Sequence, residues 1–520
     1  MIDLEEDKMK EECGVFGVYS REFNVSELTY YGLIALQHRG QESTGIAVTD
    51  GAWMDVSRGM GLVRELFRHQ IPQMENQYIA IGHVRYSTTG SSLLANTQPL
   101  MVSYSGGKIA LAHNGNLTNA GEIRRKLEES GTIFQTTIDS EVFVNLIARS
   151  RKVTVEEKII DSLKKIKGAY CLTIMTEDKL IGARDPQGFR PLCIGRLEDG
   201  GYVLSSESCG LDVVGAEFVR DVEPGEMVVI DENGLESHRF AKAKPSMCIF
   251  EFIYFARPDS IIDGQSVHES RFEMGRILAK EAKCKGDIVI SVPDSGNVAA
   301  SGYAYEAGLP YVSGLIKNRY IGRTFIQPSQ KQRDTAVKLK LNPVKSVVKG
   351  KSVIVIDDSI VRGTTSGKIV KMLRDAGAKE VHMVISSPPI GFPCFYGIDT
   401  SARKVQRESG PRPPAPRGPG GAGAAGGIQE SGRAAGAKGP LLVGKKPRAP
   451  SVIHFFQICE ISERIITDRS NTVLNFYFFY LTGIFAPGGT SCRSVIGHIA
   501  FAPNIELVVS VYSPCDIIAA

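Results

Sequence analysis

Two folded units of different class are predicted: a layered α+β unit over residues 13–245 and an α/β unit over residues 246–402. Three observations predict them. Short strand-like runs recur between Cys13 and Pro245 with only two helical patterns among them, which favours stacked sheets flanked by helices. From Cys248 to Thr400, fully apolar strands alternate with helices, the pattern of a parallel sheet covered on both faces. Residues 403–450 are rich in Gly, Pro, Ala and Arg and hold no aromatic residue. Such a segment cannot bury enough apolar surface to offset chain entropy, so it is predicted to be disordered. At 520 residues, 42% hydrophobic and 23% charged, the chain is long enough for two or three such units.

Residues 1–12 (MIDLEEDKMKEE) form a short leader with no apolar core and too much acid for a signal peptide. Export is not expected, and the ten scattered cysteines fit a reducing, cytoplasmic setting. The longest apolar stretch, 472–486, contains Asn475 and is too short to span a bilayer, so no membrane segment is predicted. Residues 403–450 hold ten Lys/Arg against two Glu in a chain of net charge +4, which leaves the remainder net acidic. The basic balance therefore gives no reason to expect a nucleic-acid partner. Gly421, Gly423 and Gly426 spell GxGxxG, but no strand precedes them and no amphipathic helix follows. A dinucleotide site needs both.

In the first unit, strands are predicted at 15–19, 45–49, 78–83, 108–113, 169–175, 202–206 and 226–230, and helices at 26–37 and 140–150. Cutting after Glu12 would leave Cys13 with a thiol and a free α-amine on one residue. These groups titrate at about pH 8.5 and about pH 8, so each can exchange a proton with the other, and the residue carries its own nucleophile and base. In an uncut chain Cys13 reads as a buried thiol opening a strand. Polar clusters stand where strands end or a helix begins, at 37–41 (QHRGQ), 82–88 (GHVRYST), 113–117 (HNGNL) and 136–141 (TTIDSE).

These residue types suit the release of ammonia from glutamine. A guanidinium such as Arg85 can clamp the α-carboxylate with two parallel hydrogen bonds, and a carboxylate such as Asp139 can pair with the α-ammonium. The Asn114 amide and the Gly115 backbone N–H can point at the oxyanion formed when a thiolate attacks the amide carbon. Ordinary roles stand beside these: Asp139 as a helix cap, Asn114-Gly115 as a hairpin turn, Arg85 as a surface charge.

Taken in order, CGVFGV, LQHRGQES, GHVRYSTTG, AHNGNL and TTIDSE resemble the glutaminase domain of the N-terminal-nucleophile amidotransferases. The resemblance implies a four-layer αββα fold with two antiparallel sheets between helices. It also implies removal of residues 1–12 as a propeptide, Cys13 as nucleophile, and Asn114 with Gly115 as oxyanion hole. Arg85 and Asp139 would hold glutamine, and Arg39 would line the same pocket.

In the second unit, strands at 287–292 and 352–356 precede helices starting at Asn297 and near Thr365. Ligands of such sheets bind at the carboxyl ends of the strands. At that end of 352–356 comes Asp357-Asp358-Ser359-Ile360-Val361-Arg362-Gly363-Thr364-Thr365. Adjacent acids suit ribose hydroxyls or a hydrated Mg²⁺, and a helix N-terminus offers N–H and hydroxyl donors to phosphate. The stretch Gly363-Thr364-Thr365-Ser366-Gly367-Lys368 is one residue short of a Walker A loop and lacks a Ser or Thr after the Lys. A helix cap explains one Asp but not the whole run.

VIVIDDSIVRGTTS resembles the phosphoribosyl-diphosphate signature of type I phosphoribosyltransferases. The resemblance implies that Asp357, Asp358, Ser359, Arg362, Gly363, Thr364 and Thr365 bind phosphoribosyl diphosphate. Ser295, in the turn Val292-Pro293-Asp294-Ser295-Gly296, would join Asp357 and Asp358 around Mg²⁺, and loop 317–328 would close over the sugar.

Over residues 13–402 the two halves together resemble the glutamine phosphoribosylpyrophosphate amidotransferases. Membership implies hydrolysis of glutamine, internal transfer of ammonia to C1 of phosphoribosyl diphosphate, and formation of 5-phosphoribosylamine in the first step of purine synthesis. It also implies a homotetramer inhibited by purine nucleotides. The subgroup with a processed leader binds a 4Fe–4S cluster through four cysteines, two of them in a C-terminal CxxC. Cys248 and Cys394 match the first two, but the chain contains no CxxC, so the set is incomplete, and two buried thiols are the competing reading.

The likeness stops after Ala402, midway through a domain, as a change of reading frame near Arg403 would produce. Residues 451–520 are left unassigned, without an expected fold. An inactive or truncated copy, and another amidotransferase with the same glutaminase half, remain as alternatives. The phosphoribosyl signature counts against the second.

Overall fold

A computed structural model of the chain describes residues 13–86, 93–318, 341–360, 364–387 and 394–398, together with three short strands between 464 and 509. The leader, Arg362, Gly363, segment 403–450 and most of loop 317–328 lie outside the described residues, and Thr364 and Thr365 are described only as helical backbone.

The N-terminal part runs β1 (Gly14–Tyr19), α1 (Val25–Ala35), β2 (Ser43–Thr49), β3 (Met54–Met60), α2 (Val63–Leu66), β4 (Ile79–Arg85), β5 (Leu100–Tyr104), β6 (Gly107–Leu117), α3 (Ala120–Glu129), α4 (Ser140–Arg149) and α5 (Val155–Leu163). It continues through β7 (Gly168–Met175), β8 (Leu180–Arg184), β9 (Cys193–Arg196), β10 (Tyr202–Ser205), α6 (Ser208–Val213), β11 (Glu217–Asp221), β12 (Glu226–Asp231) and β13 (Gly234–Arg239). Seven strands make one sheet in the order β11-β9-β10-β1-β4-β2-β3, and six make another, β13-β12-β8-β7-β6-β5. Neighbouring strands in both sheets are antiparallel.

Side chains alternate faces along a strand, and here the two faces serve different cores. Val15 and Tyr19 of β1, Ile79 and Ile81 of β4, and Cys171 and Met175 of β7 meet between the sheets. Phe16 and Val18 of β1 pack outward with Val84 of β4 and Leu33 of α1. On the opposite side, Leu172 and Ile174 of β7 pack with Phe143 and Ile147 of α4 and Ile159 of α5. The layers are therefore helix, sheet, sheet, helix, as the motif resemblance implies. Because both faces are covered, β1 and β4 are buried at every position. Each fully buried Val, Leu, Ile or Phe contributes roughly 1.5–3 kcal/mol.

The sheet of the C-terminal part is parallel at its centre, with β14 (Ile261–Ile262), β15 (Gln265–Ser266) and α7 (Val267–Ala282) leading into it. It is built from β16 (Ile288–Ser291), the strand Ser352–Asp357 and the strand Glu380–Ile385. Alternation again sorts the core. Val289, Ile354 and Ile356 face α7 and α8 (Asn297–Ala307) through Leu278, Ala300 and Tyr303. Ile290, Val353 and Val355 face the helix Thr364–Asp375 through Ile369 and Leu373. A short strand from the unassigned tail, Leu507–Val509, lies parallel beside Met383–Ile385. An open sheet edge presents unpaired backbone groups, which any apolar extended segment can satisfy.

The two parts meet through buried charge. Arg184, wholly buried, donates two hydrogen bonds to Asp263, at 2.7 and 2.9 Å. Glu207, also wholly buried, accepts from His38 (2.7 Å), Arg39 (2.6 Å), the Ser260 hydroxyl (2.7 Å) and the Arg257 backbone N–H (2.9 Å). Burial alone would raise the Glu207 carboxyl, but His38, Arg39 and these hydrogen bonds outweigh it and hold the group well below 4.5. Stability from Glu207 is thus present above pH 4.5 and lost as the pH falls below it. Asp185 and Asp221, pushed up to about 6 by burial, act oppositely and favour the folded state as the pH falls from about 6 towards 4. Glu207→Gln should therefore lose about 3–5 kcal/mol at pH 7, since it leaves buried cations unpaired. It should also show a shallower fall of melting temperature than wild type between pH 4.5 and 3. Parallel acid limbs in the two proteins would contradict the assignment.

Candidate active site

Cys13 directly precedes β1, where Gly14 pairs with Val84 and Val15 with His83. Ser43 and Thr44 of β2 pair with Arg85 and Val84 from the other side. Residues from three of the motifs, CGVFGV, LQHRGQES and GHVRYSTTG, thus share one end of one sheet. The fourth faces them from the second sheet: His83 Nε2 lies 3.1 Å from the His113 carbonyl, a bond that crosses between the sheets. A carbonyl only accepts, so Nε2 carries the proton. Burial holds the imidazole neutral by lowering its pKa to about 3.

The Cys13 thiol is 6% exposed and donates to the Tyr86 carbonyl at 3.5 Å. By contrast Cys171 lies in the core, where burial pushes its thiol up to about 12. Such a thiol is chemically inert at neutral pH.

Three ordinary roles open to the sequence are removed by the structure. Asn114-Gly115 is no hairpin turn: both residues lie within β6, opposite Cys171 and Tyr170. Arg85 is no surface charge. It is 2% exposed and donates to Glu42 at 3.0 Å. Asp139 stands at the N-terminus of α4 but makes no side-chain capping bond there. Its carboxylate instead accepts the Leu117 N–H at 2.8 Å and lies 3.5 Å from His113 Nδ1. Burial would raise the Asp139 carboxyl, but His113 and the Leu117 N–H outweigh it and keep the group below its usual value of 3.8. Asp139 therefore stays ionised at neutral pH.

The side chain of Asn114 is fully buried, and neither its oxygen nor its nitrogen has a partner. Buried polar groups are nearly always paired, and an unpaired one marks a functional position or a missing ligand. Gly115 beside it has φ +141°, and a Cβ there would lie 2.1 Å from the Ala169 carbonyl oxygen. Only glycine fits this backbone.

Arg39 departs from expectation. It does not line an open pocket. Its side chain has no solvent exposure, and the guanidinium donates to Glu207 and Glu251 and, through Nε, to the Cys13 carbonyl at 3.0 Å. A guanidinium engaged in this way braces Cys13 from behind instead of meeting a ligand. Glu207 and Glu251, which hold it, were not identified from sequence. Glu207 stands in no motif, Glu251 lies three residues after Cys248, and a single Glu carries no periodicity or spacing signal.

In the parallel sheet, Asp357 ends its strand and Asp358 follows, 2% and 1% exposed. Ser295, in the loop after β16, donates to Asp358 Oδ1 at 2.6 Å, and Ser359 donates to Oδ2 at 2.8 Å. Ser295, Asp357, Asp358 and Ser359 are therefore brought together at the carboxyl ends of adjacent strands, just before the helix Thr364–Asp375. Lys317 at the end of β17 (Leu315–Lys317) reaches Asp294 of the same loop at 3.2 Å. This all-oxygen donor set suits Mg²⁺, which binds one or two carboxylates plus substrate phosphates.

The iron–sulfur set fares differently. Cys248 and Cys394 pack against one apolar cluster with Phe255 and Ile398. Among the described residues no group of three or more His, Cys, Asp or Glu is placed to hold a metal ion. A cluster needs four ligands, so the described residues do not fit one.

Gly115→Ala should cost about 1–3 kcal/mol from backbone conformation alone, with a further penalty for the Ala169 contact. Urea denaturation reads this directly, and an unchanged midpoint would contradict the close approach.

Comparison with known proteins agrees with both halves. A glutamine amidotransferase domain model matches residues 83–212, and a phosphoribosyl transferase domain model matches residues 265–387. The amidophosphoribosyltransferase of Bacillus subtilis (strain 168) is 53% identical over 398 residues, covering 76% of this chain and 83% of the relative. The chloroplastic amidophosphoribosyltransferase 1 of Arabidopsis thaliana is 52% identical over 401 residues, covering 76% and 70%. Among solved structures, the glutamine phosphoribosylpyrophosphate amidotransferase of B. subtilis complexed with ADP and GMP superposes with a TM-score of 0.72 at 51% identity, covering 76% of this chain and 87% of that one. The four-layer unit, the parallel sheet with its acid pair, and identities above one half across three quarters of the chain place it in the amidophosphoribosyltransferase family.

Proposed function

We propose that the chain makes 5-phosphoribosylamine at two sites, with the roles distributed as follows. With residues 1–12 removed, the Cys13 α-amine takes the thiol proton and the thiolate attacks the amide carbon of glutamine. The Asn114 amide and the Gly115 N–H stabilise the resulting oxyanion. Ammonia leaves carrying the transferred proton, and water then cleaves the Cys13 thioester to give glutamate. Arg85 clamps the substrate α-carboxylate and Asp139, kept ionised, pairs with its α-ammonium. The observation that carries this reading is the Asn114 side chain, buried without a partner beside a left-handed Gly115. A donor already fixed in a dry site needs no reorganisation when charge develops.

Ammonia then displaces diphosphate from C1 of phosphoribosyl diphosphate. Asp357 and Asp358, with Ser295 and Ser359, would hold Mg²⁺ and the ribose and diphosphate oxygens. Arg362, Gly363, Thr364 and Thr365 would bind the 5-phosphate at the helix N-terminus. Mg²⁺, when bound, supplies positive charge to the leaving diphosphate. Purine nucleotides as regulators, a homotetramer and a cytoplasmic location complete the proposal. The solved B. subtilis relative was complexed with ADP and GMP, and among the described residues no helix is long and apolar enough to cross a membrane.

Diphosphate release in the presence of glutamine and phosphoribosyl diphosphate tests the whole reaction. Cys13→Ala should abolish glutamine-dependent release and keep ammonia-dependent release, whereas loss of both would overturn the two-site division. Asp357→Asn should lower both by about 10²-fold or more, as expected when a group that acts on developing charge is removed. Intact mass of the active protein should correspond to a chain beginning at Cys13; a retained leader with full glutamine turnover would exclude the N-terminal amine as base.

A further inference from the structure

Glu251 lies outside the two-sheet unit, in the π-helical turn Glu251–Phe255 that leads towards α7, and is wholly buried. Its carboxylate stands between two arginines of the glutaminase unit. Arg39 donates to it at 2.8 and 2.9 Å, and Arg190 approaches at 3.5 Å. Each arginine has a second commitment. Arg39 Nε holds the Cys13 carbonyl at 3.0 Å. Arg190 holds the Tyr396 carbonyl at 2.7 Å.

The segment carrying Tyr396 comes from beyond the parallel sheet and is laid against the glutaminase site. Tyr396 stacks on Phe189 with ring centres 4.4 Å apart, and Asn116 donates to the Phe395 carbonyl at 2.8 Å. Gly397 has φ +113°, and a Cβ there would lie 3.4 Å from the Gly115 carbonyl carbon and 3.6 Å from its Cα. That segment forms the wall behind the Gly115 peptide. A single carboxylate therefore braces the nucleophile through Arg39 and, through Arg190, the backing of the oxyanion hole.

We infer that Glu251 is a positioning residue for glutamine hydrolysis, contributed by the part of the chain that carries the phosphoribosyl site. It never meets the substrate. It fixes the distance between the Cys13 backbone and the Gly115 peptide, so the glutaminase site is complete only when the second unit is docked. This rests on the reading of Cys13, Asn114 and Gly115 given above. Misplacing reacting groups by about 1 Å costs about 10²-fold in rate, and the effect falls on kcat because Arg85 and Asp139, which grip the substrate, are untouched.

The test uses the full-length chain and two variants, Glu251→Gln and Gly397→Ala. The second disturbs the same wall without leaving a buried charge unpaired. Glutamine hydrolysis is measured as kcat per thiol titratable with iodoacetamide, alongside KM and ammonia-dependent diphosphate release. Both variants should lose about 10- to 100-fold in kcat, with KM for glutamine within about threefold and ammonia-dependent release retained. Wild-type kcat in Gly397→Ala overturns the inference, whatever Glu251→Gln does. So does an equal loss of ammonia-dependent release in either variant, which would make the role one of general folding. Failure of the underlying reading shows elsewhere: Asn114→Ala would then hydrolyse glutamine at the wild-type rate.

Discussion

A guanidinium with no access to water, Arg39, sits between two carboxylates that are equally dry, Glu207 and Glu251. Taking three such charges out of water is costly, and their mutual attraction offsets the cost only when the hydrogen-bond geometry is complete. Here it is. Arg39 spends its donors on both carboxylates and on the Cys13 carbonyl, while Glu207 is further supplied by His38, Ser260 and Arg257. The start of β1 is consequently held in one position. A residue that the proposed cleavage would leave at a chain terminus would otherwise be among the most mobile parts of a protein.

The same cluster joins the two halves of the molecule. Glu207 and Arg39 belong to the sheet sandwich, while Glu251, Arg257 and Ser260 follow it in sequence. Removing any one member strands the charge of another, so the junction is far more sensitive than its size suggests. Apolar packing fills each sheet's faces but is indifferent to small displacements. A buried ion network is not, because hydrogen bonds lose strength steeply with angle and distance. That difference suits an enzyme in which ammonia made at one centre must be used at another, since the two centres need a fixed mutual geometry.

Much of the fold was legible in the strand periodicity. The strands 15–19, 78–83, 108–113 and 169–175 reappear as β1, β4, β6 and β7 with boundaries moved by only a few residues. All four are central, covered on both faces and rich in Val, Ile and Leu. In the sheet sandwich, the strands without a sequence signal are of two kinds. β8 (LIGAR) and β9 (CIGR) are short and interrupted by glycine, so they lack a β-branched run. β3, β5, β11 and β13 are the edges of the two sheets and carry exposed polar positions, and there a strand needs its neighbour more than its own composition. The short strand Leu507–Val509 is a similar case: an apolar segment finds a partner in an open edge that no local pattern announces.

The sequence by itself determined which residues could do chemistry. CGVFGV, HNGNL and the acid pair Asp357-Asp358 are contiguous, and local chemistry is written in contiguous residues. It also showed that the usual iron–sulfur ligand set is incomplete, because a missing CxxC is visible without coordinates. Only the tertiary structure decided what each charged group faces. Arg85, Asn114 and Asp139 each had an ordinary local role that burial and pairing removed, and Arg39 turned from a pocket residue into a support for Cys13. The partners responsible, Glu207 and Glu251, lie 168 and 212 residues away along the chain. Pairing across such a separation is settled by packing alone, and no motif records it.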